Sequence, residues 1–106
     1  MFNTMTMYSG AVSAAGNSSS LESLQMTKLS VACVYTVTTG VYALKLQESN
    51  DGTNWFDVSG ASTAVSATGS TLYKVTDAVS LYYRVNIAKT SGSIDSLIIT
   101  AHAKGV

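Results

Sequence analysis

Proline is absent from this chain, and charge is scarce. Charged residues make up 11% of the 106 residues, and six Lys+Arg balance six Asp+Glu. An average globular domain carries about 25% charged residues. With no excess of cations there is no field to neutralise a phosphate backbone, so nucleic acid is excluded as a partner. The single cysteine, Cys33, cannot close an internal disulfide, which argues against the disulfide-stapled class of small secreted domains. It sits in the apolar run Val31–Val34 and reads as a small core hydrophobe. Nothing approaches the roughly 18–20 consecutive apolar residues of a membrane helix. The segment 29–37 comes nearest, and Ser30 and Thr36 interrupt it. The amino terminus lacks the basic and apolar regions of a signal peptide. A glycine-rich phosphate loop, a CxxC pair and a Walker lysine are all missing, so no cofactor is expected.

Hydroxyl groups take the place of charge: there are 16 Ser and 13 Thr. The length allows one domain with one modest core. Small soluble monomers ordinarily carry net charge well away from zero. A neutral, hydroxyl-rich surface therefore fits a chain that lives in an assembly.

Residues 1–27 differ from the rest. They hold all four Met, the patch Asn17-Ser18-Ser19-Ser20, and few other apolar side chains. They read as a loosely patterned amino-terminal arm with short extended pieces near 6–12 and 21–26. A helix over 21–29 is the competing reading, from the spacing of Leu21, Leu24 and Lys28. Residues 28–106 read as a β domain. Leu29, Val31, Cys33, Tyr35 and Val37 alternate with smaller or polar residues, the period of a half-buried strand. Strands are also expected over 41–49, 71–76, 81–88 and 94–103. The stretch 59–70 reads as a loop or an irregular edge strand. Asn50-Asp51-Gly52-Thr53-Asn54 is a turn, and Trp55-Phe56-Asp57-Val58 restarts a strand. Turns every 8–12 residues between short strands predict an all-β fold, a small antiparallel β-sandwich of jelly-roll or Ig-like type.

Catalytic chemistry finds no assembled candidates. His102 stands alone, beside Thr100 and Lys104 on what reads as a solvent face. No G-x-S-x-G elbow is present. Glu48, Asp51 and Asp57 flank one hairpin turn rather than opposite walls of a cleft, unlike a glycosidase pair. Asn50, Asp51, Asn54 and Asp57 carry oxygens that a calcium ion would accept, but their spacing is not that of an EF-hand loop. No metal site is assigned. The tyrosines suit protein contacts, where a large ring is buried and its hydroxyl stays wet, with ordinary core packing as the competing reading. Tyr8, Tyr35 and Tyr82, with Leu21 and Leu24 of the arm, are the candidate interface residues.

The segment Leu46-Gln47-Glu48-Ser49-Asn50-Asp51-Gly52-Thr53-Asn54-Trp55-Phe56-Asp57-Val58 resembles the strand–turn–strand signature LQxSxDGxxWxDV of small β-sandwich structural proteins of tailed bacteriophages. The stretches 81–87 and 94–101 look like the paired strands that follow in such proteins. The same hairpin is similar to one in discoidin-like carbohydrate- and lipid-binding sandwiches, which are longer and commonly carry a disulfide. In both families the Asp51, Gly52 and Trp55 positions imply a structural hairpin: Gly52 permits the turn and Trp55 packs back on the sandwich. The phage resemblance implies a non-enzymatic virion protein. Its lead role is a capsid decoration or cement protein that works as a dimer or trimer on the major capsid protein. A tail or fibre component is the alternative. The rival class is a carbohydrate-binding module with Trp55, Phe56 and Tyr82 as its carriers.

Overall fold

The protein is described by a computed structural model covering residues 2–22, 27–76 and 78–105. Alternation builds its strands. In β4 (Lys28–Thr36) Leu29, Val31, Cys33 and Tyr35 point inward, while Lys28, Ser30, Ala32, Val34 and Thr36 point outward. β5 (Val41–Ser49) buries Tyr42, Leu44 and Leu46. β8 (Tyr82–Ser91) buries Tyr83, Val85 and Ile87, and β9 (Ile94–Lys104) buries Ile94, Leu97, Ile99, Ala101 and Ala103. These inward rows form a common core between two sheets, the arrangement of a β-sandwich.

The first sheet has the order β1 (Phe2–Val12), β9, β4, β7 (Gly69–Val75). The second has the order β2 (Gly16–Asn17), β8, β5, β6 (Phe56–Val65), and β3 (Leu21–Glu22) also pairs β8. Every pairing is antiparallel. β2 and β3 behave as one interrupted strand along β8. Between them the Ser18 N–H donates to the Val85 carbonyl at 2.9 Å, and the Ser18 hydroxyl accepts from the Val85 N–H at 2.8 Å. Counted so, there are eight strands. The first pairs the last, the second the seventh, the third the sixth and the fourth the fifth. That nested winding is a jelly roll, which decides between the two sandwich types expected.

The amino-terminal residues are extended near 6–12 and at 21–22, as expected, but they are packed on the sandwich rather than loose. β1 matches β9 from Phe2 opposite Lys104 to Val12 opposite Ile94, and Met7, Val12 and Leu21 are buried in the common core. Register shifts between Thr6 and Tyr8 and between Gly10 and Val12 break the alternation that would have marked this strand. Leu21 and Glu22 are extended rather than helical, and Leu24 lies outside the described residues. The stretch 59–70 supplies an edge strand: β6 runs to Val65, and a register shift faces Lys45 and Gln47 where Gly60 takes φ +77°. Among the described residues, no helix is long and apolar enough to cross a membrane.

Two tyrosines join the sheets through the core. The Tyr73 hydroxyl, from β7, lies 2.6 Å from Thr63 Oγ1 and 3.1 Å from the Leu44 carbonyl. The Tyr42 hydroxyl, from β5, reaches the Gly92 carbonyl at 3.0 Å and the Val12 carbonyl at 3.3 Å. Each satisfies a buried polar tip that would otherwise be costly.

Candidate functional site

The hairpin between β5 and β6 is built around the Asp51 carboxylate. Its Oδ1 accepts the N–H groups of Thr53 and Asn54, both at 2.8 Å, and the Ser49 hydroxyl at 3.0 Å. Its Oδ2 accepts Asn54 Nδ2 at 2.7 Å. The two backbone N–H bonds, followed by the side-chain donors, hold the Asp51 carboxyl well below the usual carboxylate range. Ser49 Oγ in turn accepts the Gly52 N–H at 2.9 Å, and Gly52 takes φ +76° as the turn requires. The oxygens of Asp51 are thus occupied by the turn's own donors. Asp57 faces Lys45 at 3.7 Å and accepts Gln47 Nε2 at 3.0 Å. Among the described residues, no group of three or more His, Cys, Asp or Glu is placed to hold a metal ion.

Trp55 is half-buried and does not belong to the core, although the resemblance implied that it packs back on the sandwich. The Arg84 guanidinium lies 4.2 Å from the centre of its ring, a cation–π contact. Partial burial lowers the Arg84 pKa from its ordinary value, and the group stays charged. Arg84 Nε donates to Gln47 Oε1 at 3.0 Å. A polar chain Trp55–Arg84–Gln47–Asp57–Lys45 therefore crosses the outer face of the second sheet. Gln47 is opposite Arg84 on β8 and opposite Asp57 on β6, so register alone assembles it.

The other sequence candidates separate. Tyr35 (7% exposed) and Leu21 (4% exposed) serve the chain's own core, because their places in the alternation turn them inward, away from any partner. Tyr8 is half-buried, its hydroxyl donating to the Ala11 carbonyl at 2.9 Å, and lines a concavity of about 240 Å³ with Val12, Asn17 and Ile87. Tyr82 is half-buried with its ring beside Gly52. Cys33 is fully buried, and burial pushes its thiol up to about 12.

The residues that sequence reasoning missed lie on the outer face of the first sheet. Val34, Leu72 and Ile98 are 54%, 53% and 43% exposed. Register makes them neighbours: Val34 is opposite Ile98, and Leu72 is opposite Ala32, one inward residue away from Val34. Ser30, Thr36, Ser70, Ser96 and Thr100 share that face. One end of the face is cationic. Lys28, Lys74, Lys104 and His102 line a concavity of about 230 Å³ together with Ser30 and Thr76. The signal was present in the sequence as apolar residues at both odd and even positions of 31–34 and 97–99, but it takes strand order to bring them together.

No family model matches the chain, and no curated protein matches it by sequence. Solved structures share the fold. The SPBc2 prophage-derived protein YomS is similar over 97% of this chain and 92% of its own, with TM-score 0.70 and 10% identity. The PBSX exported protein XepA matches 98% of this chain with TM-score 0.76 and 15% identity, and the chain spans 37% of XepA. A subunit of the disulfide-linked pili that form Bacillus endospore appendages matches all of this chain and 88% of its own, with TM-score 0.63 and 14% identity. At such identities the likeness is one of fold: a small all-β sandwich shared by phage-derived and pilus proteins.

Proposed function

We propose that this chain is a non-enzymatic structural protein of a bacteriophage particle, and within that a capsid decoration protein. The observation that carries the reading is the outer face of the first sheet. There Val34, Leu72 and Ile98 form an exposed apolar ridge framed by hydroxyls. Such a ridge suits protein contact: it excludes water at its centre, and its rim can hydrogen-bond. Jelly rolls recur in viral capsid and lectin domains, and two of the similar structures are phage-derived. That support is analogy of fold. A tail or fibre component would use the same face. Tyr8 and Tyr82 remain the aromatic candidates for contacts between copies in a dimer or trimer. Such contacts would be non-covalent, because buried Cys33 cannot make the disulfide link named for the Bacillus appendages. The carbohydrate-module reading is weaker, because Arg84 already covers one face of the Trp55 ring.

The test uses phage particles from the strain that encodes the chain, with the added protein followed by sedimentation and electron microscopy. Wild-type protein is expected on the head lattice. Ile98→Lys, at a solvent-facing position, is expected to fold and to lose binding. Protein found on tails would overturn the capsid role and keep the structural one. Protein that binds neither, and is a monomer by light scattering, would overturn both.

A further inference from the structure

The cationic end of the first sheet serves no purpose visible in the fold. Lys28 on β4 stands directly opposite Lys104 on β9. Like charges opposite one another across strands destabilise a sheet. Lys74 and His102 flank the same spot, each opposite Ser30, which sits one outward step along β4 from Lys28. The ion pair among the described residues is Lys45 with Asp57, on the other sheet, so none of these three lysines has a carboxylate partner there. Three of the chain's five lysines thus converge in a chain of zero net charge. They do so around a concavity of about 230 Å³ that Ser30 and Thr76 also line, with the edge of the core at Leu29 and Val75 beneath it. Thr4 Oγ1 holds His102 Nδ1 at 2.9 Å, which fixes that wall.

We infer that this corner is an anion site for a phosphate group, free or as an ester. The three ammonium groups supply point charges that adapt to a tetrahedral oxyanion, the Ser30 and Thr76 hydroxyls supply further donors, and the lysine stems lie along the short carbon chain of an ester. An anion held among the three lysines would offset the like-charge pairing of Lys28 with Lys104. It does not rest on the decoration reading, since it lies at one end of the face rather than on the apolar ridge.

The experiment is an amide NMR titration of the whole chain with inorganic phosphate, then with glycerol 1-phosphate, at ionic strength held constant with chloride. Saturable shifts are expected at residues 28–30, 74–76 and 102–104. Lys28→Gln and Lys104→Gln are each expected to weaken binding about tenfold, the worth of one charge-assisted hydrogen bond. Lys45→Gln is expected to leave binding unchanged. Saturation with both probes supports a site for the phosphate group itself, and saturation with the ester alone assigns it to an esterified source. Thermal unfolding gives the second readout: without phosphate, Lys28→Gln is expected to raise Tm, and at a given phosphate concentration the further rise is expected to be smaller in the variant than in wild type. Linear shifts with both probes, shifts shared equally with Lys45, or a fall in Tm for Lys28→Gln in phosphate-free buffer would overturn the proposal.

Discussion

Replacing Tyr73 by phenylalanine removes one oxygen from the middle of the sandwich and leaves the ring. That oxygen has one proton, and two acceptors lie within reach: Thr63 Oγ1 at 2.6 Å and the Leu44 carbonyl at 3.1 Å. Burial raises the Tyr73 pKa, with the Thr63 hydrogen bond opposing it, so the phenol is neutral and acts as a hydrogen-bonding group at all ordinary pH. Thr63 keeps a second contact with Thr71 Oγ1 at 3.3 Å, and Leu44 lies between two paired strands. Neither partner is therefore wholly abandoned in the variant. The loss should be that of an ordinary buried hydrogen bond, about 1–1.5 kcal/mol. Unfolding entropy of about 2.1 cal/mol/K per residue converts this, over a chain of this length, to a fall in Tm of about 4–7 °C. Circular dichroism melts and urea titrations measure both quantities. Thr63→Val alone and the double variant complete a cycle. Because the double removes both partners, it should lose less than the two singles together. A single variant within about 0.3 kcal/mol of wild type, or a strictly additive cycle, would refute the claim that this hydroxyl ties the sheets together.

Cys33, its thiol pushed up to about 12 by burial, should resist thiol reagents in the native protein and react only as the chain unfolds; rapid labelling at pH 8 would contradict its place in the core. Asp51 has a folded pKa depressed below that of the unfolded chain, so its stabilisation is complete above about pH 4 and is lost as pH falls through the folded value. The Tm gap between wild type and Asp51→Asn should accordingly narrow on acidification, and a widening gap would count against it. Gly92→Ala meets both a left-handed backbone and the Thr39 carbonyl, while Gly60→Ala meets only the backbone cost in open space. Gly60→Ala should cost about 1–2 kcal/mol and Gly92→Ala clearly more, by equilibrium unfolding. Arg84→Ala should leave the chain folded and shift Trp55 fluorescence to the red, a change that a core tryptophan would not show.

The central strands were legible because their alternation is clean. Leu29 to Tyr35 and Tyr83 to Ile87 declare an inward face whatever they pair with, and Asp51-Gly52 marks its turn by backbone chemistry alone. β1 was obscured for two reasons. Two of its inward residues, Met5 and Met7, are methionines, which carry little strand preference, and two register shifts disturb the period. β6 was obscured because an edge strand needs only one good face, and small residues satisfy it. The place of Trp55 came only from the resemblance; here the core is already filled by Tyr42, Tyr73 and Tyr83, and the ring meets Arg84 on the outer face instead. The apolar ridge left only a local trace, in apolar residues at both odd and even positions, and the lysine corner left none. Lys28, Lys74 and Lys104 are far apart in the chain, and only strand order makes them neighbours.

The nested pairing also sets a timetable for the newborn chain. The innermost partners, Glu48 and Phe56, are eight positions apart, while Val12 waits for Ile94, 82 positions further on. Closing the outer loop costs about 2 kcal/mol more in chain entropy than closing the inner one. At about 5–20 residues per second, the ribosome needs about 4–16 s to make the partner that β1 requires. During that interval Met7 and Val12 lack the strand that pairs with their own. β1 is therefore housed only once β9 has emerged, and of the strands described it waits longest for its partner.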